Sequence, residues 1–223
     1  MGTLLGRIRY ETAAMNRASA HTQSLRSPTA HIVPWKFAHF VIKTARFNVM
    51  VDWYKAVLQA QVVQEGPNMC FLTYDSENHR LAIVHVPHLL DRPRDVCGVD
   101  HVSYTYRDLG DLLSVYARLK AVGIVPRWSV NHRVTTSFYY QDPDGNRVEL
   151  QVENFPNEKE VNEFFASDDY ARNTLGARFD PEEWISKYEA GASLAVLAHR
   201  SMPDFGPDTL ALLDEMGLVK VNS

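Results

Sequence analysis

The sequence predicts an α+β fold: two tandem βαβββ modules forming a curved mixed sheet around a shared cavity, with a C-terminal helical extension. Three observations support this. The order strand, helix, three strands occurs twice between residues 34 and 154. His39 and His101 occupy similar positions in the first strand of each unit, which points to an internal duplication. After residue 153 the strand alternation stops and helical spacing takes over.

The first module, residues 34–97, opens on KFAHFVIK (36–43), a strand by composition. Thr44 is placed to cap a helix in which Phe47, Met50, Val51, Tyr54 and Leu58 recur on one face. Extended segments follow near 60–65, 69–74 and 80–86. The second module, residues 98–154, starts with GVDHVSYTY. Asp108 then caps a helix whose apolar stripe is Leu109, Leu112, Leu113, Tyr116 and Leu119, and Gly123 stops it. Strands are expected near 125–131, 136–141 and 147–153. Within the last, Val148, Leu150 and Val152 alternate with Glu149 and Gln151, so Glu149 points to the opposite face and needs a cation or a hydrogen-bonding network there. Asp142-Pro143-Asp144-Gly145-Asn146 carries the turn chemistry that joins these two strands.

The extension, residues 155–223, has helical patterns beginning at EKEVNEFF, FDPEEWISKYEAG and GPDTLALLDEMG, with Pro207 at the start of the last. Phe164, Phe165, Trp184, Ile185 and Tyr188 are its apolar anchors, for covering the module edges or for a subunit contact. A homo-oligomer, dimer or higher, is the expected state. Residues 1–33 carry Arg7, Arg9, Arg17 and Arg26 against Glu11 alone. That composition fits a poorly ordered N-terminal extension, with a targeting segment or a short packed helix as alternatives.

The bulk properties exclude several classes. A net charge of -4 gives nucleic-acid binding no electrostatic support, and no apolar run reaches the length of a membrane span. Cys70 and Cys97 are too few for a disulfide framework, so a reduced, cytoplasmic setting is expected. The chemistry concentrates in the two modules. His39, His101 and an inward Glu149 supply two neutral nitrogens and one anionic oxygen, a facial triad suited to Fe(II), with Mn(II) an acceptable substitute and zinc less favoured. The curved sheet would then enclose a metal site. His79, His132 and Tyr139 are the candidate proton-handling groups. Asp100, next to His101, is expected to face away and is a poor fourth ligand; His85 and His88 are read as peripheral.

The stretch VNHRVTTSFYYQDPDGNRVE (130–149) resembles the signature of type I extradiol ring-cleavage dioxygenases of the vicinal oxygen chelate superfamily. His132, Phe138, Tyr139, Asp142, Pro143, Gly145 and Glu149 fill its positions in order, and the resemblance covers residues 36–154. It implies that His39, His101 and Glu149 hold iron and that His79, in ENHRLAI, is the acid/base. Arg80 departs from the small residue common beside that histidine. The implied reaction opens a catechol ring with O2, beside rather than between the hydroxylated carbons. Two other readings stay open: metal-dependent isomerisation or lyase chemistry through an enediolate, and a non-catalytic small-molecule binding protein. Residues 86–98 and 153–180 are the expected shapers of the entrance.

Overall fold

The computed structural model describes residues 27, 29, 31–93, 96–198, 207–215 and 217. The reading of residues 1–33 as an extension therefore falls largely outside the described residues. Contacts divide the chain into 1–37, whose described residues form neither helix nor strand, and 38–223, which carries the whole fold.

The first module runs β1 (Phe40–Thr44), α1 (Phe47–Leu58), β2 (Gln61–Gly66), β3 (Met69–Thr73) and β4 (Leu81–His85). Its sheet has the order β1-β4-β3-β2, with β1 and β4 parallel and the other pairs antiparallel. The strand expected at 36–43 begins at Phe40, so His39 immediately precedes it. Thr44 does not cap α1. Arg46 holds that position without a side-chain cap, and the Thr44 hydroxyl accepts from the Arg46 N–H at 2.8 Å, turning the chain out of β1. Being two residues ahead of the cap, Thr44 spends its hydroxyl on the turn rather than on the first helical N–H groups.

The second module repeats the order: β5 (His101–Thr105), α2 (Leu109–Ala121), β6 (Trp128–Asn131), β7 (Thr135–Gln141) and β8 (Arg147–Glu153). Asp108 caps α2 by accepting from the Asp111 N–H at 2.9 Å, and Gly123 takes the left-handed conformation (φ +80°) that ends it. The strands are divided between two sheets, one per module. A short β9 (Ala177–Arg178) pairs with β6 and gives the second sheet the order β5-β8-β7-β6-β9. Two residues carry no periodicity, which is why β9 was not legible in the sequence.

Both helices bury one stripe in a common core. Met50, Tyr54 and Val57 of α1 and Leu112, Tyr116 and Leu119 of α2 pack with Leu72, Ile83, Phe138, Val148 and Leu150 from the strands. Burying each of these large side chains stabilises by about 1.5–3 kcal/mol, so Met50→Ala is expected to cost about 2–5 kcal/mol once the cavity is included. Polar ties join the modules inside this core. The Arg118 guanidinium donates to the Ala56 and Val57 carbonyls at the end of α1, and the Tyr54 hydroxyl donates to Asp142 at 3.0 Å.

The extension supplies α3 (Glu158–Phe165), α4 (Asp168–Arg172), α5 (Pro181–Glu189), α6 (Leu194–Leu197) and α7 (Pro207–Glu215). Ser167 breaks the first helical stretch in two by capping α4. Trp184 joins the main core beside Phe179, and the Tyr116 hydroxyl donates to Glu182, which seats α5 on α2. Phe165 and Tyr188, expected as anchors, stay exposed. Leu213 of α7 is fully buried against Trp128, Val130 and Tyr139 of the second sheet.

Candidate active site

Strand register places the polar face of the second sheet. Glu149 on β8 is flanked by Ser103 on β5 and Tyr139 on β7, and Tyr139 in turn by Trp128 on β6. Because side chains alternate, these four share one face, while Val148, Leu150 and Tyr140 occupy the other, against the core. The arrangement expected of Glu149 is present: it is 5% exposed and lies in a hydrogen-bonding network.

The network decides its charge. Burial alone would raise the carboxyl pKa; hydrogen bonds with His101, Ser137, Ser103 and Tyr139 outweigh it and hold the group at about 2. His101, the first residue of β5, puts Nε2 3.2 Å from a Glu149 oxygen. Its Nδ1 is 2.7 Å from Asp100, which is also ion-paired with Arg147. Asp100 thus turns toward His101 rather than away, and acts on its ring as an orienting partner. A carboxylate on Nδ1 fixes the tautomer and leaves Nε2 to face a cation.

Tyr139 stacks on Trp128 at 5.1 Å and meets His101 edge-on at 5.3 Å. Burial first, then the Glu149 charge, pushes its phenol well above the ordinary value, so it stays protonated. Its hydroxyl is 3.0 Å from His132 Nε2, while His132 Nδ1 is 2.6 Å from the Leu175 carbonyl. A carbonyl only accepts, so Nδ1 carries a proton, and Nε2 faces the Tyr139 hydroxyl.

Three residues that sequence reasoning missed hold this histidine. Asn173 accepts from the Leu175 and Gly176 N–H groups and donates to the Gly176 carbonyl, which fixes the Leu175 carbonyl. Gly176 has φ +100°, and a Cβ there would stand 2.4 Å from the Asn131 carbonyl oxygen. Only glycine lets this loop approach so closely. A glycine two residues before an Arg-Phe pair far downstream gives no sign that it touches His132.

His39 and His79 stand together in the first module, ring centroids 4.3 Å apart, with Phe71 edge-on to His79 at 4.8 Å. His79 lies in the loop before β4, beside Arg80, which is ion-paired with Asp75. His85 stacks on Phe47 at the far end of β4. The six site residues therefore fall into two groups: His101, Glu149, Tyr139 and His132 in the second module, His39 and His79 in the first. Among the described residues, no three His, Cys, Asp or Glu side chains stand close enough together to hold a metal ion. The His101 and Glu149 pair is preformed, and its donor types fit a divalent cation of the first transition row.

Residues 36–150 match the model of the Glyoxalase/Bleomycin resistance protein/Dioxygenase superfamily. The chain is 49% identical over 148 residues to biphenyl-2,3-diol 1,2-dioxygenase 2 of Rhodococcus globerulus, covering 66% of this chain and 77% of that protein. It is 42% identical over 168 residues to biphenyl-2,3-diol 1,2-dioxygenase 3 of the same organism, covering 74% and 88%. Among solved structures, a glyoxalase/dioxygenase from Nostoc punctiforme aligns with a TM-score of 0.47 at 16% identity, over 57% of this chain and 99% of that one. With half of its length matched by the family model and relatives above 40% identity, the chain belongs to the glyoxalase, bleomycin resistance protein and dioxygenase superfamily.

Proposed function

We propose that the protein is an extradiol dioxygenase that inserts both atoms of O2 into a catechol-type diol and opens the ring beside the hydroxylated carbons. The observation that carries this reading is the buried Glu149 paired with His101 and bordered by Tyr139 and His132, in a chain 49% identical to a biphenyl-2,3-diol 1,2-dioxygenase. A metal cofactor is consistent with that family. We assign Fe(II), with Mn(II) as the substitute, to the preformed His101 and Glu149 pair, with His39 drawn in as the third ligand on binding.

When bound, the metal supplies Lewis acidity and a common binding point for diol and O2. The chain's own residues do the rest. Asp100 keeps the His101 ring oriented with Nε2 turned toward Glu149. Tyr139 hydrogen-bonds a diol oxygen, and His132 Nε2 takes the proton released there, with Nδ1–H held on the Leu175 carbonyl throughout. His79, beside His39, takes a proton from the second diol oxygen and returns it to the opening ring. Trp128 and Leu213 close the far side of Tyr139 and keep water from it.

The diol and O2 are the proposed small-molecule partners. No described helix is long and apolar enough to cross a membrane. The test is turnover under 18O2 with a panel of catechols. Two labelled oxygens in one ring-opened product are expected; product carrying none, or isomerised diol without oxygen uptake, would favour the isomerase or lyase reading instead.

A further inference from the structure

The residue beside the proposed acid/base is Arg80, where the chain departs from the small side chain common at that position in the extradiol enzymes it resembles. Its contacts face two ways. In the loop between β3 and β4, residues 74–80, its Nε lies 3.2 and 3.0 Å from the two Asp75 carboxylate oxygens, and its Nη2 2.9 Å from one of them. Toward β1, Nη1 donates to the Ala38 carbonyl at 3.2 Å, one residue ahead of His39. The backbone repeats this tie. The Phe40 N–H, one residue past His39, donates to the Arg80 carbonyl at 3.2 Å, and the Arg80 N–H donates to the Leu72 carbonyl on β3 at 2.8 Å.

Both chain neighbours of His39 are therefore bonded to the residue that follows His79. The rest of the loop is fastened to the same carboxylate: Asp75 accepts from the Glu77 N–H at 3.0 Å, and the Thr73 hydroxyl donates to the Glu77 carbonyl at 3.0 Å. His79 thus leaves a loop pinned on either side of it, and its ring stands 4.3 Å from that of His39, with Phe71 edge-on. A guanidinium suits this arrangement, because it is planar and offers one edge to a carboxylate while its remaining nitrogen points elsewhere. The Arg80 and Asp75 side chains are 21% and 36% exposed, so the ion pair adds little to stability. What it fixes is direction.

We infer that Arg80 is a positioning residue for ring cleavage: it locks the His79 loop to the segment that carries His39, so the step that brings His39 to the metal brings His79 to the diol. The inference rests on the ring-cleavage reading for the work of His79, and on the Arg80 contacts for the coupling. A proton-handling group must stand within hydrogen-bond reach of its target, and a misplacement of about 1 Å can cost about a hundredfold in rate. A histidine on an unfastened loop would lose that placement.

Two measurements on the full-length chain decide it. In metal-free protein carrying isotope-labelled histidine, the His39 and His79 ring protons are expected to show a mutual nuclear Overhauser effect, which Arg80→Met removes while the amide spectrum elsewhere holds. In the Fe(II)-loaded enzyme with biphenyl-2,3-diol, R80M is expected to lower kcat at least about tenfold with KM and bound iron near wild type, and Arg80→Lys to recover part of the loss. A role in stability alone would lower Tm and leave both readouts of the folded chain unmoved. No ring contact in the wild type, a contact that survives in R80M, or wild-type kcat in R80M overturns the inference. If R80M does not fold, R80K, which keeps the charge and loses the fork, decides on the same terms. A wild type that turns over no diol removes the ring-cleavage reading, and the ring contact alone then decides the coupling.

Discussion

His101 Nε2 lies 3.2 Å from a Glu149 carboxylate oxygen, while His101 Nδ1 is held by Asp100 at 2.7 Å. The imidazole is thus clamped between two carboxylates with different jobs. One is buried beneath the sheet's polar face, and the other sits half-exposed at its edge.

Removing the outer carboxylate's charge is expected to loosen the metal without removing a ligand. Asp100→Asn should weaken Fe(II) affinity by about 10- to 100-fold, the usual effect of losing a ligand's supporting partner. Competition against a chelator measures this. Unchanged affinity would mean that Asp100 does not orient His101.

Glu149 makes the metal-free protein sensitive to acid. Its pKa in the fold, about 2, is below the ordinary 4.5, so its contribution is complete above about pH 4.5 and is lost as pH falls toward 2. The full shift corresponds to an order of 3 kcal/mol. Urea unfolding at pH 3 and pH 6 should show a larger stability loss in the wild type than in Glu149→Gln, which has no group to titrate there.

The approach of Gly176 to the Asn131 carbonyl gives a third expectation. Gly176→Ala forces a Cβ into the space of a backbone oxygen at φ +100°, at a cost of about 1–3 kcal/mol. The Leu175 carbonyl then shifts from His132, so kcat should fall at least several-fold with bound iron unchanged. Steady-state kinetics on metal-replete variant protein checks it.

Asp142 holds the β7 to β8 turn by accepting from the Asp144 and Asn146 N–H groups, the Asn146 amide and the Tyr54 hydroxyl. Asp142→Ala strands these buried and half-buried donors and should cost about 2–4 kcal/mol, against about 1 for Tyr54→Phe. Thermal melts that reverse this order would contradict the tie between α1 and the turn.

These expectations also mark what the sequence could convey. Local signals were legible: the Asp108 cap, the Gly123 stop, the stripes of α1 and α2, and a Glu149 out of phase with its apolar neighbours. Each depends on residues within a few positions. What was not legible depends on contacts distant in the chain. Asp100 turns toward His101 because Arg147, 47 residues on, takes its other oxygen. The Leu175 carbonyl reaches His132 across 43 residues, and Leu213 seals Trp128 from the last helix. Thr44 misled because a hydroxyl before a helix serves a turn as readily as a cap.

The most direct test is anaerobic Fe(II) titration of the wild type, His39→Ala, His101→Ala and Glu149→Gln, each verified as folded. One tightly bound iron per chain is expected in the wild type, with at least about a hundredfold weaker binding in all three variants. A His39→Ala variant that retains wild-type affinity would contradict it, because the metal would then be held by the second module alone.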